Sequence, residues 1–443
     1  MSFLKSYIYL LLNRVSVGAF GVLIMLLTAR LIEPEYYGAL VSTIAGMGII
    51  IRFGSLGLVQ SFQHFGSKDY SSSQAYIVPL SLAFIVPSLM VFGFSNILVW
   101  MSEFFTQLDS KSLFVYNELK VGLVFMMMHL CFSMYFLGSE NPKIYLLVSI
   151  GPLLITLFCV IYAFFIQKSL DIVLVGWKLQ FIIGGLLSFI FIVQESYKQR
   201  SYVNQVIDKI IEVTRYGLKS VLVSSITFTL IRISVVIGSA FSLADVAVFA
   251  IARTFCEILI LAYGALGATL FSAVSRTQAS SQALILYCQT ARISTVLLIF
   301  LSLFIAGIAH KAVPFLFGIN YLSSVNIVYI LLFGVLLSTQ QRLAENFLFG
   351  VSAQTEILKY QLPNLILLSS LVWWLTPLYG ASGIALASVA SSLFAYASVS
   401  YLICKKYQIP YKTFVVINDE DLKDIKLKLN HFKKSNLLSR YLK

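Results

Sequence analysis

Apolar residues run through this chain in long unbroken stretches, separated by short polar or charged segments, and no stretch alternates with a period of two. About 20 apolar residues are needed for one helical crossing of a bilayer. On that measure the pattern predicts twelve spans, at roughly 10–30, 37–60, 75–101, 119–138, 144–166, 170–193, 216–239, 246–270, 288–310, 322–345, 359–378 and 381–403. A closed β-barrel would alternate polar and apolar positions, so these runs predict helices. Tyr360 to Cys404 contains no charged residue and is long enough for two spans, with Pro377-Leu378-Tyr379-Gly380 as the turn between them. Lys5 and Arg14 precede the apolar run Val15 to Ala29, and with no small-residue cleavage site after it this run is expected to be an uncleaved first helix.

Two amphipathic stretches interrupt the scheme. In Gln194 to Arg215, Val203, Val206, Ile207, Ile210 and Ile211 recur at helical spacing among polar residues, which predicts a helix on the inner leaflet. Near the end, Asn418 or Asp419 can cap a helix whose face carries Leu422, Ile425, Leu429 and Phe432 with lysines around it. That segment reads either as an interfacial helix held by anionic lipid or as a basic tail that only enforces topology.

The chain echoes itself at a distance of 210 residues. Glu35 corresponds to Asp245, and Phe53-Gly54-Ser55-Leu56-Gly57-Leu58 to Tyr263-Gly264-Ala265-Leu266-Gly267-Ala268, without a gap. An even number of spans per half sends both halves into the membrane in the same direction, as parallel repeats about an axis along the membrane normal. The expected organisation is a six-helix bundle at 1–193, a cytoplasmic linker at 194–215, a second six-helix bundle at 216–403 and a basic tail at 404–443. The fold class that follows is an all-α polytopic membrane protein, with two six-helix bundles around a central cavity.

Composition agrees. Of 443 residues, 59% are hydrophobic and 12% charged, with a mean hydropathy of +0.88; soluble domains carry about a quarter charged residues. The net charge of +13 would suggest nucleic acid, but the charges lie where topology puts them. With the N-terminus inside, twenty-three Lys and Arg fall on the inner side and five on the outer, and both termini are expected in the cytoplasm. No nucleic-acid partner is expected. The five cysteines are scattered without metal-ligand spacing and read as packing residues. No nucleotide loop or metalloprotease motif occurs, so no catalytic residue, metal or cofactor is expected.

The candidate chemistry is charge inside the spans, where each ionised group costs roughly 2.5–3.5 kcal/mol at a helix centre and normally faces a protein interior or a wet cavity. Arg52, Lys178, Arg232 and Arg253 are the bases, and Arg30 closes the first span at the outer surface. Glu257 is the one acid placed clearly inside. Arginine binds phosphate bidentately and keeps its charge when buried, so these residues suit an anionic headgroup. Local pairing is the competing reading, most directly for Arg253 with Glu257 at i+4. Glu257 is also a candidate for ion coupling. His129, midway through the fourth span, is expected to bond between helices. Pro79, Pro87 and Pro152 are expected to bend their spans.

Arg30-Leu31-Ile32-Glu33-Pro34-Glu35-Tyr36-Tyr37-Gly38, between the first two spans, resembles the opening of O-antigen and capsular polysaccharide flippases, and Phe53 to Leu58 resembles the end of the second span there. These belong to the multidrug/oligosaccharidyl-lipid/polysaccharide exporter (MOP) superfamily. The resemblance covers nearly the whole chain. It implies a bacterial inner-membrane transporter, not an enzyme, that moves undecaprenyl-diphosphate-linked oligosaccharide from the cytoplasmic to the periplasmic leaflet by alternating access. It also implies membrane lipids, a polysaccharide polymerase and chain-length machinery as partners. The rivals are a drug or cation exporter of the same fold, which would call for acids in the cavity, and a membrane-embedded polymerase or ligase, which would call for a large outer loop. The longest outer loop expected here is about Ser102 to Leu119.

Overall fold

The computed structural model describes residues 3–67, 73–105, 110–139, 141–197, 206–276, 280–351 and 353–414. Among them there is no β-strand. The helices are α1 (Phe3–Leu31), α2 (Pro34–Gly54), α3 (Leu58–Gly66), α4 (Ile77–Ala83), α5 (Ile85–Phe105), α6 (Ser110–Leu119), α7 (Gly122–Gly138), α8 (Pro142–Phe165), α9 (Leu170–Tyr197), α10 (Val206–Gly238), α11 (Leu243–Arg276), α12 (Ser280–Phe317), α13 (Ser324–Gly350) and α14 (Gln354–Tyr407). By length and composition nine of the described helices can cross a membrane, or ten when α6 and α7, bent by 57° at Lys120-Val121, count as one. The long α14 holds two crossings, because Gly380 breaks it with φ 56°. Every one of the twelve expected spans has a helix at its place, and the chain is a multi-pass, all-α membrane protein.

Several boundaries depart from expectation for physical reasons. The second span does not run unbroken to residue 60. It stops at Gly54, turns through Ser55-Leu56-Gly57, and restarts as α3. Gly57 takes φ 78°, and a Cβ there would lie 2.0 Å from the Gly217 carbonyl oxygen, so the turn needs glycine both for its conformation and for the approach of α10. The echoing segment Tyr263–Ala268 stays inside the continuous α11, so the repeat in sequence is not a repeat in local backbone. The third span breaks at Phe84, between Pro79 in α4 and Pro87 in the first turn of α5, where a missing N–H is tolerated. The outer loop expected at Ser102 to Leu119 is largely helical, since α5 runs to Phe105 and α6 begins at Ser110. The amphipathic stretch is not a separate helix in its second half. From Val206 it forms the first turns of α10, with Ile207 and Ile211 73% and 51% exposed. Val203 and the helix expected from Asn418 lie outside the described residues.

The chain forms two compact units. One takes Met1–Thr254, Lys311–Ile327 and Leu365–Ala387; the other takes Phe255–His310, Val328–Asn364 and Ser388–Lys443. In the first unit, α2 and α3 run the length of α10. Ser61 Oγ on α3 donates to the Val213 carbonyl at 2.9 Å, and Ser225 Oγ on α10 donates to the Arg52 carbonyl at 3.1 Å. At the far end of α2, a Cβ on Gly38 would come 1.9 Å from the Leu243 carbonyl oxygen. Small residues let backbones approach where lipid gives no hydrophobic drive between helices. His129 of α7 bonds to Ser188 Oγ at 3.1 Å and to the Gly184 carbonyl at 3.3 Å on α9, as expected of an interhelical residue. The second unit has a smaller core, in which Tyr287 stacks on Phe347 with ring centres 4.9 Å apart.

Candidate functional site

Arg52 occupies the last turn of α2. The side chain is half-buried, its guanidinium carbon lies 5.0 Å from the centre of the Phe228 ring on α10, and the buried Nε has no acceptor. No carboxylate pairs with Arg52 among the described residues. Phe228 is four residues before Arg232, which puts both on one face of α10. Thus Arg52 of α2 stands over a ring on the α10 face that also carries Arg232, and Ser225, one turn earlier, bonds the Arg52 carbonyl. A desolvated guanidinium over a ring gains about 1–2 kcal/mol from the cation–π contact, and its hydrogen-bonding edge still needs an oxygen acceptor.

The other sequence-selected bases stand in different surroundings. Lys178 on α9 pairs with Glu118 of α6, Nζ to Oε2 2.6 Å, so its charge is compensated within the first unit. Arg30 closes α1 and donates to the Phe315 carbonyl. Arg253 and Glu257 are half-buried on α11, and neither they nor Arg232 is without a partner.

Three participants escaped the sequence reading. Glu118 lies one residue ahead of the predicted fourth span, where sequence alone gives it no partner. Phe228 is one of 35 phenylalanines, and only its i−4 relation to Arg232 marks it out. Glu345 was assigned to the boundary of the tenth span, but it is only 8% exposed and sits five residues inside the end of α13. Glu345 is thus a buried acid besides the half-buried Glu257, and Glu118 stands beside Lys178. Among the described residues no group of three or more His, Cys, Asp or Glu could hold a metal ion.

No family model matches the chain, and no curated protein matches it. Solved structures do. A multidrug resistance MATE family transporter of the MOP superfamily, in an inward-facing conformation, matches at a TM-score of 0.70 and 14% identity, over 89% of this chain and 97% of that one. The lipid II flippase MurJ, in an inward closed conformation, matches at 0.65 and 14%, over 93% and 89%. A MOP superfamily transporter from Pyrococcus furiosus, described by the reverse polarity of its binding pocket, matches at 0.62 and 13%, over 91% and 95%. At these identities the likeness establishes the fold alone: the chain is folded like these transporters.

Proposed function

We propose that this protein is a flippase for an undecaprenyl-diphosphate-linked oligosaccharide, carrying it from the cytoplasmic to the periplasmic leaflet of a bacterial inner membrane for O-antigen or capsule synthesis. The observation that carries the reading is Arg52 at the α2–α10 contact, a guanidinium that has no carboxylate and an Nε that has no acceptor, with Arg232 one turn along the same face of α10. A diphosphate supplies several strong acceptor oxygens and two or more negative charges, which is the chemistry that edge lacks. In this proposal Arg52 and Arg232 hold the diphosphate, Arg253 and Lys178 stabilise it along the passage, Arg30 acts at the outer end and Glu257 is a coupling group. Lys178 would exchange Glu118 for phosphate. The two parallel six-helix bundles, 1–193 and 216–403, with cytoplasmic termini, form the alternating-access frame, and polymerase and chain-length machinery receive the product. The existence of a lipid II flippase with this fold supports a lipid-linked substrate.

A second reading, export of drugs or organic cations, is favoured by the MATE likeness. It predicts acids where the substrate sits, whereas Arg52 offers a cation. A polymerase or ligase would call for a large outer loop, and the segment expected to be the longest one is largely taken up by α5 and α6. The test is surface polysaccharide in cells carrying Arg52→Ala with Arg232→Ala. Loss of polysaccharide at unchanged protein level, with lipid-linked intermediate accumulating inside, is expected. Normal polysaccharide at unchanged protein level would overturn the assignment, and drug resistance that depends on the wild-type protein would favour the exporter.

A further inference from the structure

The turn between α12 and α13 carries the second half of the chain to the ends of α1 and α2. α12 stops at Phe317, Gly318 takes φ 103°, a short 3-10 helix covers Ile319–Tyr321, and α13 starts at Ser324. This tip, Lys311–Ile327, belongs to the first unit, whereas α12 before it and α13 beyond it belong to the second. Two contacts fasten it. Arg30, in the last turn of α1, donates to the Phe315 carbonyl. Tyr321 meets Tyr37 of α2 edge-on, with ring centres 6.1 Å apart. The Tyr37 hydroxyl in turn donates to Met25 Sδ on α1 at 3.6 Å, so α1 and α2 hold the receiving side together.

These contacts differ in kind from those between α2 and the two helices ahead of the tip. There, backbone approaches backbone. A Cβ on Gly57 would come 2.0 Å from the Gly217 carbonyl oxygen of α10, and one on Gly38 1.9 Å from the Leu243 carbonyl oxygen of α11. Small residues let the backbones close up at these points, and parting them moves whole helices. At the tip a side chain makes each contact. Arg30 is exposed, so its guanidinium trades the carbonyl for water at small net cost. Tyr321 is buried, and among the described residues its hydroxyl finds no acceptor, so release to water offsets part of the lost ring contact. Gly318 is not wedged in place, since nothing lies within 4 Å of where its Cβ would be.

We propose that this tip is the outer latch of the transporter. Arg30 and Tyr37 of the first half hold Phe315 and Tyr321 of the second while the outer end is shut. Both contacts part when substrate leaves on that side, and the backbone contacts of α2 with α10 and α11 stay closed. The latch deepens the alternating-access reading above and rests on it, and the charge bias supplies which end is outer. The action of Arg30 at the outer end is then mechanical.

The test is the distance between nitroxide labels, read by double electron–electron resonance on the purified full chain in lipid nanodiscs. Glu33→Cys and Ile319→Cys carry the labels, both being exposed sites. Cys159 and Cys404, the native cysteines that are not buried, are replaced by serine. Arg30→Ala should raise the ratio of the longer to the shorter distance by about fivefold, as loss of one hydrogen bond shifts a two-state equilibrium. Tyr321→Leu, which keeps an apolar side chain without the ring contact, should shift it the same way and decides the matter if Arg30→Ala fails to fold. A distribution identical in wild type and variants, whether of one distance or two, overturns the proposal. Labels on Glu33→Cys and the exposed Ala240→Cys should keep one unchanged distance; a shift there would mean that the whole outer end loosens, which also overturns it. No substrate enters these measurements, so failure of the latch and failure of the flippase reading in cells are told apart.

Discussion

Substituting Gly57 by alanine tests the break in the second span directly. Two costs add. A non-glycine residue in the left-handed region costs about 1–2 kcal/mol. The new Cβ would also stand 2.0, 2.5 and 2.8 Å from the oxygen, carbon and Cα of Gly217, all backbone atoms that cannot rotate away. Separating α10 from the turn is an overpacking change of about 1–3 kcal/mol. The expected loss is therefore about 2–5 kcal/mol. Gly46 provides the control, since it is helical and a Cβ there would meet nothing within 4 Å; Gly46→Ala should hold or raise stability by about 0.5–1 kcal/mol. Equilibrium unfolding in mixed micelles with SDS measures both. Gly57→Ala as stable as wild type, or the two alanines behaving alike, would refute the argument from conformation and contact.

Other expectations are shorter. Lys178→Met and Glu118→Gln should each destabilise, and the double variant should recover about 0.5–1 kcal/mol relative to their sum, as for a partly exposed pair; a double-mutant cycle reads it. His129→Ala should cost about 1 kcal/mol, seen as a lower midpoint in the same unfolding assay, because the bonds between α7 and α9 are lost while Ser188 Oγ still donates to the Gly184 carbonyl at 2.6 Å. Gly38→Val should push α2 from the Leu243 carbonyl and lower thermal stability more than Gly21→Ala, whose Cβ meets nothing. Arg52→Lys keeps the charge but loses the planar fork, and should retain less surface polysaccharide than wild type while stability stays within about 1 kcal/mol.

The sequence was most informative where a residue's meaning is set by its own stretch. Twenty apolar residues define a crossing whatever surrounds them, so the helix beneath each expected span was legible, as was the turn at Gly380 from its Pro-Leu-Tyr-Gly run. His129 could be read too, because a lone imidazole among apolar residues needs a bond to a neighbouring helix. Breaks were harder. The turn at Ser55-Leu56-Gly57 exists because α10 brings Gly217 against it, and the near-identical glycine pattern at Tyr263–Ala268 stays helical. The same limit governs the charges. Arg52 and Lys178 look alike as isolated bases inside spans; only the fold gives Lys178 an acid 60 positions away and gives Arg52 a phenyl ring. Glu345 was missed because its burial is made by Tyr360 and Gln361 across a turn, whereas Gln341 at i−4 was a visible hint.

The helix α10 has 33 residues from Val206 to Gly238, about 50 Å end to end at 1.5 Å per residue. A hydrocarbon layer is about 30 Å thick. Such a rod protrudes from the bilayer, and with no glycine or proline break in its recorded backbone it transmits tilt rather than absorbing it. Val206 and Arg232 lie on this one continuous helix, so a tilt of its first turns about the close approach at Gly217 would be carried to Phe228 and Arg232.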